Sequence, residues 1–212
     1  MTAYGSVRAT ALGFGLTYLT GGVLLAELVG SSADSTATFT THFDDDAARF
    51  GDIAGSLLLM VSSVFVLCAG LTLRERLRGP RATLRVDLVA ALAFLGAAAL
   101  FVSAGLLLSA PLLQSFGDLV DDPGMEPAVA AGFAQAGTIA LISSVLLLGA
   151  WTALVAHVAH SAGAIGRWFR LTGWVVAGLT VFAVTGIAAF PLGVWWVALA
   201  FGWRPAREQT SS

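Results

Sequence analysis

Three groups of side chains in this sequence could do chemistry. The densest is Asp44-Asp45-Asp46, with His42 just before it and Asp52 just after. Clustered carboxylates suit a divalent cation such as Ca²⁺ or Mg²⁺, and Glu27 could join them. The spacing does not match an EF-hand loop. The same aspartates stand at the head of an apolar run, where they would cap a helix and complement its dipole. Asp44, Asp46 and Asp52 are therefore weighed as metal ligands against capping, which is the simpler reading.

His157 and His160 form the second group. Three residues apart, they share one helical face. Cys68, in another apolar run, is expected at similar depth. Together they suggest a Cys/His metal site or half of a haem pocket. Two histidines on one helix cannot clamp a haem from both faces, and histidines at a helix C-terminus also favour its dipole.

The third group is Glu27, Asp52 and Gln135. Acidic groups that border membrane spans are proton- or cation-relay candidates by default. Gln135, with Thr138, Ser143, Ser144 and Thr152, would line a polar path on one helix. Against this, serine and threonine in apolar helices commonly bond their own backbone. Glu27 and Asp52 are expected close enough to an interface to be hydrated. Asp87 heads another apolar run and reads as its cap.

Other chemistries are excluded. Without a lysine there is no Schiff base and no phosphate-loop lysine. A single cysteine allows no internal disulfide and no CxxC motif. No nucleophile elbow or HExxH is present. The sequence points to no catalytic residue and no cofactor. Basic residues gather in one short loop rather than on a face, so nucleic acid is not a partner.

The elements that must position these groups are apolar helices. The chain has 212 residues, 57% hydrophobic and 11% charged, with a formal net charge of −2. Soluble domains carry about 25% charged residues. At a mean hydropathy of +0.85, too little polar surface exists to cover a soluble domain. The expected fold is all-α: a polytopic transmembrane helical bundle over residues 1–204, with a short cytoplasmic tail at 205–212. Spans are expected near Ala9–Val29, Ile53–Leu73, Leu88–Ala110 and Ala128–His157, each long enough for a bilayer core. Ala9–Gly30 is too long for a signal-peptide core of roughly 7–15 residues. Pro111 to Pro127 reads as a polar loop holding a short interfacial helix, from the spacing of Leu112, Leu113, Phe116, Leu119 and Val120. Two stripes of small residues offer close helix packing: Gly13, Thr17 and Gly21, and Gly132, Ala136, Ala140 and Ser144.

The stretch Leu171–Trp203 has 33 residues and no charge, interrupted only by Pro191. It is either one overlong span or a tight hairpin, giving five spans or six. Arginine counting favours the hairpin, with a single helix kinked at Pro191 as the rival. With both termini, the 74–85 loop and the 159–170 loop in the cytoplasm, ten of the eleven arginines lie inside and only Arg49 outside. A single crossing would move Arg204 and Arg207 out, against the positive-inside rule. The expected arms, Trp168 to Val184 and Ile187 to Arg204, have 17 and 18 residues. They slightly underspan a core of about 30 Å.

Short motifs add a resemblance. Leu12-Gly13 with Tyr18-Leu19-Thr20-Gly21, then Arg49-Phe50-Gly51-Asp52, resemble the first two spans of the DUF4386-like family of bacterial integral membrane proteins. Gly163-x-Ile165-x-Arg167-Trp168 with Gly173 resembles the loop before that family's penultimate helix. Phe190-Pro191-Leu192 with Trp195 or Trp196 resembles the start of its last helix. The chain departs from the family at Gly166, where proline is expected, and in its short final hairpin. The resemblance implies six spans and no activity. The alanine-rich, lysine-free composition looks actinobacterial.

The functional expectation is a plasma-membrane protein without enzymatic activity. It would be a structural or partner-binding subunit, meeting another membrane protein or its own copies through the small-residue stripes. The alternatives are an ion or small-molecule transporter using Glu27, Asp52 and Gln135, and a metal- or haem-binding redox subunit using His157, His160 and Cys68.

Overall fold

In lipid, a backbone satisfies its own polar groups most simply as helix, and every regular element of the described chain is helical. The computed structural model describes residues 3–31, 42, 45–77, 83–120, 126–185 and 189–204. The order is α1 (Ala3–Leu24), α2 (Ala26–Ser31), α3 (Asp46–Leu77), α4 (Thr83–Val120), α5 (Pro127–Ser161), α6 (Arg167–Leu179), a 3₁₀ turn (Thr180–Thr185) and α7 (Ala189–Gly202). Among the described residues, three helices, within α3, α4 and α5, are long and apolar enough to cross a membrane. At 1.5 Å per residue the 32 residues of α3 reach about 48 Å, beyond a hydrocarbon core of about 30 Å. These are the dimensions of a membrane protein.

The main helices form a ring. Each packs on its neighbour in sequence: α1 on α3, α3 on α4, α4 on α5, α5 on α6, and α6 more lightly on α7. Finally α7 returns to α1 and closes the circle. Lipid tails are as apolar as leucine, so close packing and interhelical hydrogen bonds hold such a ring together. On the α1–α3 seam a Cβ at Gly21 would sit 2.9 Å from the Gly55 carbonyl oxygen, so only glycine lets these backbones approach. Thr17 and Ser62 hydroxyls meet across the same seam at 2.7 Å. The α4–α5 seam carries a buried bond from Ser103 to the Gly137 carbonyl, 2.9 Å.

Two boundaries differ from expectation. α4 does not stop at Ala110; it runs through Pro111 to Val120 as one helix. The part of the predicted loop from Pro111 to Val120, with its interfacial helix, is thus the far end of this helix, and residues 121–125 lie outside the described residues. Proline removes one N–H and ends helices in water, but a membrane helix tolerates it because no solvent competes for the backbone. Asp87 is not a cap. It lies in the second turn of α4, paired with Arg74 of α3 at 2.8 Å. Asp45 does cap: its carboxylate accepts from the Ala47 N–H at 2.8 Å, just before α3.

The long uncharged stretch is folded back on itself. Arg204 donates its backbone N–H to the Ala164 carbonyl at 2.9 Å, so the end of α7 lies beside the start of α6. Pro191 does not break a helix; it sits in the first turn of α7, where its missing N–H costs nothing. α5 ends in a Schellman motif. Ala164 N–H reaches the Ala159 carbonyl, Gly163 N–H reaches that of His160, and Gly163 takes φ +73°.

Candidate functional site

The α1–α3 seam buries one carboxylate. Asp52 occupies the second turn of α3 and is 1% exposed. His42, from the connection between α2 and α3, places Nε2 2.8 Å from Asp52 Oδ2. Two features of α3 create this position. Asp52 begins its buried face, continued by Ser56, Leu59, Ser63 and Val66 at helical spacing. Gly55 then lets the α1–α2 junction close over it, with a would-be Cβ only 2.9 Å from Leu25 Cγ. A carboxylate so placed needs a partner, because burying an unpaired charge costs several kcal/mol. His42 is that partner. The pair can hold or pass a proton.

The expected hydration of Asp52 is therefore corrected: tight α1–α3 packing and the His42 ring keep water off it. Asp46 is exposed and pairs with Arg49 one turn along. Asp44 lies outside the described residues. Glu27 falls on α2, and its side chain is not among those described. Gln135 is exposed on α5 rather than facing an interior path, and Ser143 is exposed and bonds the Ile139 carbonyl. Of the polar residues expected on this helix, Ser144 and Thr152 are buried. The sequence reading missed the second buried polar set, Ser56, Ser62 and Ser63 on α3. Its signal was available: Ser56 and Ser63 share the helical phase of Asp52.

His157 and His160 take separate surroundings. Arg85 of α4 donates to His157 Nε2 at 3.3 Å, and His160 Nδ1 meets the Ile165 carbonyl at 3.2 Å. Cys68 is exposed on α3. Among the described residues, no three His, Cys, Asp or Glu side chains converge as a metal-holding group.

The interior is closed by aromatic rings. Trp151 of α5 and Trp196 of α7 stack with centroids 4.3 Å apart and planes 15° apart. Phe14 of α1 meets both edge-on, at 6.2 and 5.6 Å, and Tyr18 packs on Phe14 at 5.4 Å. Trp196 donates its indole N–H to Thr152 at 2.9 Å. Among the described residues, the Tyr18 hydroxyl and the Trp151 indole N–H are buried without a hydrogen-bond partner.

The end of the ring opposite Asp52 is basic. Arg8 of α1 donates to the Trp203 carbonyl at 3.0 Å. With Arg167 and Arg204 it lines a pocket of about 360 Å³, floored by Trp168, Phe169 and Trp203. A separate apolar groove of about 400 Å³ runs between α6 and α7.

Comparison of the chain with protein-family models, with curated proteins and with solved structures finds no match.

Proposed function

We propose that the chain is a six-span plasma-membrane protein with both termini in the cytoplasm. It acts without enzymatic activity, as a structural or partner-binding subunit. The observation that carries this reading is the closed centre of the ring. Phe14, Trp151 and Trp196 are each 0% exposed and fill the space between α1, α5 and α7 that a substrate would have to cross. Six crossings are supported by the arginine distribution, by the return of α7 to the start of α6, and by the resemblance to the DUF4386-like family.

The partner face lies on α5. The α1 stripe is spent inside the ring on α3. On α5, Gly132 and Ala136 are exposed, and a Cβ at Gly132 would meet nothing within 4 Å. A small-residue face of this kind lets another helix approach closely. The test is a single cysteine at Ala136 in a Cys68→Ser background, cross-linked in native membranes. A covalent dimer, or a covalent adduct with another membrane chain, is expected from Ala136→Cys. A control Phe101→Cys on exposed α4 should give neither. Equal cross-linking at both positions would contradict the reading.

One observation favours a second reading, an ion- or proton-linked transporter. The buried His42–Asp52 pair sits at the head of the α3 serine face. That reading requires substrate-driven flux in proteoliposomes, lost in Asp52→Asn while the protein remains folded.

A further inference from the structure

We propose that the basic pocket binds the phosphate of an anionic phospholipid, with one acyl chain lying in the groove between α6 and α7. The proposal rests on the membrane reading above, but not on the span count or on a partner.

Three cationic groups line one pocket although they come from three distant parts of the sequence. Arg8 is on α1, Arg167 opens α6, and Arg204 follows α7. Among the described residues, none lining it is acidic. Arg8 is fixed by its bond to the Trp203 carbonyl. The Arg167 and Arg204 side chains are exposed, and among the described residues they make no hydrogen bond or ion pair. Guanidinium groups suit phosphate because their planar forks donate in pairs. The α6 N-terminus adds to this field. Gly166 provides no side-chain cap, and the first turn holds no acid.

The pocket is not an isolated anion site. Trp168 and Phe169 line both it and the apolar groove, so the two adjoin across these rings. Along the groove lie Val176, Val194, Trp195 and Ala198, which offer almost no polar group. A basic mouth leading into an apolar channel on the outside of a bundle matches an anionic headgroup joined to an acyl chain. Trp168, 79% exposed, stands at the junction where an interfacial tryptophan belongs. A free anion would leave the groove unused, and a zwitterionic lipid would leave the excess positive charge unmatched.

The test uses the full chain purified in detergent. Phosphatidylglycerol and phosphatidylcholine of identical acyl chains are compared by native mass spectrometry and by thermal protection, beside inorganic phosphate. Phosphatidylglycerol should be retained about tenfold over phosphatidylcholine. Arg167→Gln with Arg204→Gln should lower that retention about tenfold, without changing the melting temperature in lipid-free detergent. Ala198→Phe, which fills the groove and leaves the arginines intact, should lower it as well. Equal retention of the two lipids would overturn the proposal. So would protection by inorganic phosphate equal to that by phosphatidylglycerol, or indifference to Ala198→Phe. A tail found outside the cell or a chain without a partner would overturn the previous section and leave this site standing.

Discussion

At the scale of single residues, Asp52 dominates. A carboxylate 1% exposed at the head of an otherwise apolar helix is met by His42 at 2.8 Å. Removing one member takes this ion pair from the other in a buried setting. His42→Ala should therefore destabilise the purified protein by about 3 kcal/mol, read by thermal unfolding in detergent. The double variant with Asp52→Ala should cost clearly less than the sum of the two singles, because their interaction is counted once. A second residue-scale prediction concerns Gly163. Its φ of +73° is disfavoured for any residue with a Cβ, although open space surrounds it. Gly163→Ala should cost about 1 kcal/mol through backbone conformation alone, by the same measurement. Asp52 was legible as an unusual acid from its place beside a span. His42 was legible as a member of the same polar cluster but not as the direct partner of Asp52, because it lies ten residues away in a polar connection with no periodicity to place it.

At the scale of elements, the apolar runs and their small-residue stripes were readable, and their ends were not. The Gly13–Thr17–Gly21 stripe does pack closely, against α3 through Gly55 and Ser62. Which helix it would meet was open in the sequence, since a stripe states how near a partner comes and not who it is. Gly21→Leu should push α1 from α3 and cost about 3 kcal/mol or more, since a carbonyl cannot turn aside as a side chain can. The same substitution at Gly132 should leave stability nearly unchanged, since among the described residues nothing faces it within 4 Å. α4 shows the limit of turn signals. Pro111 and the polar residues after it read as a loop by rules drawn from water, where a broken ladder is repaired by solvent. The apolar spacing of Leu112, Leu113 and Phe116 was the better guide, and it continued the helix.

At the scale of the molecule, the ring closes through its shortest parts. α7 has 14 residues, about 21 Å of rise, yet it carries Trp196 into the core and returns its end to α1 and α6. Arg74–Asp87, Arg85–His157, Arg8–Trp203 and Arg204–Ala164 join the helix ends at one pole, so arginines far apart in sequence gather there. Asp45, Asp46 and Asp52 lie at the other pole. Arginine counting groups these arginines on one side because the positive-inside rule concerns whole loops. It needs no knowledge of side-chain contacts. The aromatic plug was not legible, since Phe14, Trp151 and Trp196 are separated by most of the chain and meet only when the ring closes. The central claim is that α6 and α7 form a hairpin that returns the chain to the arginine-rich side. A reporter fused after Ser212 in intact cells tests it most directly. A cytoplasmic signal, fluorescent and inaccessible to external protease, is predicted. A reporter exposed outside the cell would contradict the six-span account.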